Sequence, residues 1–187
     1  FARLVRQLDL AGQAADQETA IRDYLRQAPA LDAAWAVYFL SGRSVGKVLP
    51  ARRLVSWVAE VTKLPEWLLS ECSEAVPDVA QAAALVLPLK EVGRGTNASL
   101  SEWAQRYLVP MLNGAASTQN RLLRDGWAEM DLEQCLAWHR VLLGQFESGR
   151  HLAPLARALS GFSGVPLPVI VRRLAGPVLL LHDEVAG

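Results

Sequence analysis

Two short basic stretches hold the residues of this chain best suited to meet an anion. Between residues 41 and 63 lie Arg43, Lys47, Arg52, Arg53 and Lys63 against one acid, Glu60, a net of +4. Between 140 and 173 lie Arg140, Arg150, Arg157, Arg172 and Arg173 against Glu147, again +4. Each stretch lies close to a glycine, Gly42 or Gly144, and leads into a segment with an apolar stripe. A helix start exposes unpaired N–H groups and a partial positive charge. A glycine-containing loop before it lets a phosphate approach the backbone, and Arg and Lys supply the long-range attraction. The chemistry implied is recognition of a phosphate chain by shape and backbone spacing, without base-edge contacts. The competing reading is a pair of ordinary solvated faces.

Other constellations point less far. Asp131, Cys135 and His139 recur at intervals of four and share a helix face. Metal ligands could be spaced so, but no second cluster completes a site. A buried cysteine with a hydrogen-bonded histidine is the simpler expectation, and a Cys–His nucleophilic dyad at this spacing is rarer still. Gly93-Arg94-Gly95-Thr96-Asn97 lacks both the preceding strand and the Gly-Lys-Ser/Thr ending of a P-loop, and reads as a connector. Trp35, Trp57, Trp67, Trp103, Trp127 and Trp138 would suit base stacking. Most lie on apolar stripes, which favours core packing; Trp127, next to a glycine, fits that reading least well.

The elements that must position these residues read as helices throughout, because no stretch keeps a period-2 alternation. Helices are expected over 2–10, from a cap at Asp16 until Pro29, over 32–40, and after Pro50 through Leu54, Trp57, Val58 and Val61. Pro65 opens another, and Pro77 with Asp78 a further one. Residues 88–98 are the linker candidate. Ser99 and Glu102 have capping-box spacing, and Pro110 should end or kink the helix that follows. Further helices are expected over 117–125, stopping near Gly126, from Asp131 to Gly144, through Leu152–Phe162, and over 169–176 after Pro166 and Pro168. The tail 177–187 reads as a short strand or an extended exit segment.

The chain has 187 residues, half of them hydrophobic and a fifth charged, which excludes a disordered tail and fits one sizeable domain or two small packed halves. Its 19 basic and 19 acidic residues cancel, so everything outside the two basic stretches sums to −8. Apolar runs are too short to span a bilayer, and the first ten residues lack the apolar core of a signal peptide. Two cysteines, Cys72 and Cys135, exclude a disulfide scaffold and suit a reducing compartment. A shift of 101 superposes Leu54 on Leu155, Val58 on Leu159, Val61 on Phe162 and Pro65 on Pro166, and one residue of slack superposes Gly42 on Gly144. This suggests an internal duplication.

SGRSVGKVLPARRLVSWVAEVTKLPEWLLSECSEAVPDVAQAAALVLP, the preceding DAAWAVYFLSGR, and the later WHRVLLGQFESGRHLAPLARALSGFSGVPLPVIVRRLAG together resemble the N-terminal DNA-binding domain of bacterial ATP-dependent DNA ligases. The resemblance covers roughly residues 1–176 and rests on the order and spacing of many moderate signals. It implies an all-α, compact multi-helix domain with two pseudo-symmetric halves, about 1–88 and 99–176, joined by 89–98, with 177–187 leading toward an adenylation domain. It implies binding to the minor groove on both sides of a nick in double-stranded DNA, with phosphate contacts from the loops preceding helices. Those contacts fall on Gly42, Arg43, Lys47, Arg52 and Arg53 in the first half, and on Ser148, Gly149, Arg150 and His151 in the second. Glu147 departs from the pattern, since an acid there repels phosphate; Arg150 and His151 are expected to take over.

Ligases of this class attack ATP with the lysine of a Lys-x-Asp-Gly motif. The only lysines here, Lys47, Lys63 and Lys90, are followed by VLP, LPE and EVG. This stretch alone is therefore not expected to seal a nick. ATP and a divalent metal such as Mg belong to the full-length ligase, with its adenylation and OB-fold domains, and this domain itself needs no cofactor. A monomer in the bacterial cytoplasm, associated with the nucleoid and not with a membrane, is the expected setting. The alternative is a helical protein–protein interaction domain, which would need an exposed apolar groove and basic charges scattered around the periphery. A small helical enzyme has the least support, because no nucleophile, base and orienting group assemble from local spacing.

Overall fold

A computed structural model describes residues 1–43, 45, 48–75, 78–87 and 95–176, and every regular element among them is helical. The helices are α1 (Ala2–Leu10), α2 (Ala14–Gln27), α3 (Ala30–Leu40), α4 (Ala51–Thr62), α5 (Glu66–Ala75) and α6 (Val79–Val86). After the linker come α7 (Leu100–Trp103), a π-turn (Ala104–Leu108), α8 (Val109–Leu112), α9 (Ala116–Glu129) and α10 (Leu132–Leu142). A 3-10 turn (Gln145–Ser148) then leads to α11 (Leu152–Ser163) and α12 (Leu167–Ala175). None of the described helices is long and apolar enough to cross a membrane.

Local signals set most of these boundaries. Asp78 accepts the Ala80 amide at the start of α6, and Ser99 with Glu102 forms a reciprocal capping box at α7. Asp131 and Gln134 form a second box, on α10. Asp16 is not a cap: α2 begins at Ala14 behind Gln13, which leaves Asp16 in the first turn, where a carboxylate faces the positive end of the helix. Pro110 does not end its helix. It has no N–H to reach back to the preceding turn, and the chain widens ahead of it into the π-turn, where the Val109 amide bonds the Ala104 carbonyl. Nor does Gly126 stop α9, which runs on to Glu129. A Cβ at Gly126 would lie 3.0 Å from Met130 Cε and within 4 Å of Trp103 and Trp138, so this glycine allows close packing inside the helix. Residues 177–187 and most of the linker lie outside the described residues. Its end, Thr96, is strapped to α10 by Gln134, whose amide donates to the Thr96 carbonyl at 2.7 Å.

Helix lengths recur along the chain. α2 and α9 start and end 102 residues apart, as do α3 and α10, while α4 and α11 start and end 101 residues apart. Gly42 and Gly144, two residues past α3 and α10, are both left-handed, and so are Lys63 and Gly164, which follow α4 and α11. The residues before and after the linker do not fold apart. One apolar core contains Leu4, Ile21, Leu40 and Leu54 together with Tyr107, Leu123, Leu142 and Leu155. Packing crosses between them reciprocally: α2 lies on α11, α1 on α10 and α7 on α3. α9 reaches α4 through Arg124–Glu60 (2.7 Å) and Arg53–Gln119 (3.1 Å). Asp32 of α3 is buried and accepts the Leu100 and Ser101 amides at the start of α7. Burial alone would raise its pKa, but the hydrogen bonds from Ser101 and Leu100 outweigh that and hold it below the usual carboxylate range.

Candidate nucleic-acid interface

The first loop-to-helix entrance is anchored at three points. Gly42 turns the chain at the end of α3 with φ 79°. The Arg43 guanidinium then donates to the Leu174 carbonyl at 2.7 Å and to the Gly176 carbonyl, so it caps the C-terminus of α12. Leu49 is fully buried, and its amide donates to the Leu142 carbonyl at the end of α10. The Val48 carbonyl accepts from Gln119. Pro50 introduces α4, whose first amides have no side-chain cap. By helix geometry the N–H groups of Ala51 and Arg52 are left free there. Arg52 is exposed. Arg53 is half-buried, lies over the Trp57 ring at 5.8 Å and bonds Gln119. Lys47 lies outside the described residues.

The second entrance is built differently. Phe146, in the 3-10 turn, packs between Phe1 (6.0 Å) and Phe39 (6.3 Å). Gly149 is left-handed. Ser148 and Glu147 belong to the 3-10 turn, and their side chains lie outside the described residues. Arg150 donates to Asp9 Oδ1 at 3.1 Å and, through Nε, to His151 Nε2 at 3.0 Å. His151 is 3% exposed, and burial, assisted by the nearby Arg150 charge, pushes its pKa down to about 4, so its ring is neutral. Arg140 is nearly buried and held by both Asp9 and Asp78. Arg157 pairs with Glu18 at 3.1 Å. The Leu152 amide turns back to Gly149 and Pro154 has no N–H, so α11 offers fewer free donors than α4.

Both entrances nevertheless close on one end of α10. Leu49 bonds Leu142, two residues beyond Arg140, and Arg140 shares Asp9 with Arg150. Arg43 brings the end of α12, with Arg172 and Arg173, to the same loop. Among the described residues, Arg3, Arg43, Arg52, Arg53, Lys63, Arg172 and Arg173 carry no ion pair to a described carboxylate; every other described arginine does. All but Arg3 come from the two stretches singled out by sequence. What sequence spacing missed is that Arg140, Arg150 and Arg157 are tied up by acids from α1, α2 and the start of α6.

The remaining candidates are structural. His139 is fully buried: Nε2 accepts from the Trp127 indole at 2.8 Å and Nδ1 faces the Ala80 carbonyl at 3.2 Å. Burial lowers its pKa to about 4. Cys135, also fully buried, has its thiol pushed far up by the same cause, so the pair provides neither nucleophile nor base. No metal-holding group occurs among the described residues. Trp127 is buried in this contact, and the exposed tryptophan is Trp67. A cleft of about 490 Å³ opens beside Phe1; two of its polar residues are engaged, Asp32 by α7 and Gln134 by Thr96.

Scanned against protein-family models the chain matches none, and no curated protein matches it.

Proposed function

We propose that this chain binds double-stranded DNA without sequence preference, through its sugar–phosphate backbone, as the DNA-grip domain of an ATP-dependent DNA ligase. One observation carries the reading: Arg43, Arg52 and Arg53 at the α3–α4 entrance, and Arg172 and Arg173 at the end of α12 to which Arg43 is bonded, pair with no described carboxylate, and α4 starts there without a side-chain cap. A surface of unpaired guanidiniums beside helix N–H groups suits phosphate, and it supplies affinity without reading bases. The recurring helix lengths and reciprocal packing support two halves related by an approximate two-fold, a geometry suited to holding duplex on both sides of a nick. On this reading the adenylation chemistry, ATP and a divalent metal such as Mg lie with downstream adenylation and OB-fold domains, and the setting is the nucleoid.

The test is titration of labelled intact, nicked and single-stranded oligonucleotides over a salt series. Duplex, nicked or intact, is expected to bind more tightly than single strands, with affinity falling steeply as salt rises. Arg52→Ala with Arg53→Ala should weaken binding about tenfold or more and flatten the log–log salt slope by about one unit per lost phosphate contact. Equal binding of wild type and double variant at every salt concentration would remove the α4 entrance from the interface. A preference for apolar peptides over DNA would favour the interaction-domain alternative.

A further inference from the structure

Asp9 occupies the second entrance as a phosphate would. It is in the last turn of α1, the end of a helix where the backbone dipole disfavours an anion. Its two oxygens meet different arginines: Oδ1 takes Arg150 and Oδ2 takes Arg140. A phosphodiester presents two non-bridging oxygens to paired guanidiniums in the same way. Arg140 is secured from behind by Asp78, at 2.8 and 3.0 Å, and does not need Asp9 to stay in place. Arg150 is the opposite case: 60% of its side chain is exposed, and Asp9 is the one carboxylate it pairs with among the described residues. His151, at the start of α11, is almost wholly buried with Nδ1 unpartnered, while its Nε2 accepts from Arg150. The imidazole therefore orients the guanidinium that Asp9 neutralises.

We infer that Asp9 is an intramolecular anion that withholds Arg150 from DNA, so that the free chain presents a one-sided grip and the second entrance engages a phosphate only when this carboxylate is displaced. The inference rests on the DNA-binding reading and concerns regulation of that same surface. Removing one negative charge while keeping the side chain's size and a hydrogen-bond acceptor, as Asp9→Asn does, should switch the second entrance on.

The experiment measures fluorescence anisotropy of a nicked duplex with wild type, Asp9→Asn, Arg150→Ala and the double variant, at several salt concentrations, with thermal melts of each protein. Asp9→Asn is expected to tighten binding about threefold to tenfold and to steepen the salt slope by about one unit, the signature of one added phosphate contact. Arg150→Ala alone should change affinity less than about twofold, and in the Asp9→Asn background it should abolish the gain. Unchanged or weaker binding by a folded Asp9→Asn overturns the inference while leaving the DNA reading intact. So does an Asp9→Asn chain that fails to fold, since Asp9 is then a structural partner of Arg140. If wild type and Asp9→Asn both ignore duplex, the DNA reading itself falls and takes the inference with it.

Discussion

The two entrances carry the same formal charge along the sequence, yet the fold leaves that charge available at one and cancels it at the other. In the first, the lone acid Glu60 is taken by Arg124 from α9, and the described cations around it keep no ion pair to a described carboxylate. In the second, carboxylates from elsewhere reach in: Asp9 and Asp78 to Arg140, Asp9 to Arg150, Glu18 to Arg157. Among the described residues, Arg172 and Arg173, at the far end of that stretch, pair with no carboxylate. Counting charges along the chain therefore does not predict the field offered to a ligand. What decides it is which helix lies across the arginines, and at these distances a facing carboxylate outweighs anything a neighbour in sequence contributes.

The difference should show most strongly in acid. The second entrance contains His151, and α10 behind it contains His139; the first contains no histidine. Both imidazoles are neutral in the fold, with pKa values lowered to about 4 from 6.5, chiefly by burial. The unfolded chain takes up protons first as pH drops through about 6.5. The stability these groups contribute is thus complete above that pH and is progressively lost as pH falls toward about 4. For His139 alone the loss is on the order of 3 kcal/mol across the window. Urea melts from pH 7.5 to 4.5 check it, and His139→Gln should flatten the dependence. A wild-type stability independent of pH across this range would mean that the region is open to water.

A smaller effect separates Arg140 from Arg52. Arg140→Met leaves Asp78 without its cation and Asp9 with only the exposed Arg150, and should cost about 2–3 kcal/mol in a denaturant melt. Arg52→Ala removes an exposed side chain and should stay within about 0.5 kcal/mol. Equal costs would erase the distinction between a structural and an available arginine.

Much of the scaffold was legible because its punctuation is local. Asp78, Ser99–Glu102 and Gly42 act through neighbours a few residues away, and their spacing alone places helix ends. Asp16 and Gly126 mislead for one reason: each has two local meanings, and tertiary context selects between them. Gly126 reads as a stop until Met130, Trp103 and Trp138 are seen to need the space. The basic stretches were visible as composition, and their division into paired and unpaired halves was not. That division depends on Asp9 and Glu18, more than 130 residues away in sequence from Arg150 and Arg157. Arg43 shows the same limit, because its role as a cap on α12 depends on carbonyls at 174 and 176.

The finest test lies inside the second stretch, where sequence position and pairing disagree. Arg157 stands fifteen residues before Arg172 and would count equally in any linear tally, but its guanidinium is on Glu18. Arg172 and Arg173 are exposed in the last turn of α12, where the helix's negative end favours a cation without using up its hydrogen-bonding capacity. Their replacement by Ala should weaken duplex binding about threefold to fivefold and lower the salt slope by one to two units, roughly one per contact. Arg157→Ala should leave affinity within about twofold, because a cation already neutralised releases no counterion when DNA arrives. Anisotropy at two salt concentrations distinguishes the cases. If Arg157→Ala matched the α12 pair, linear charge would govern binding after all, and pairing in the fold would carry no information about the interface.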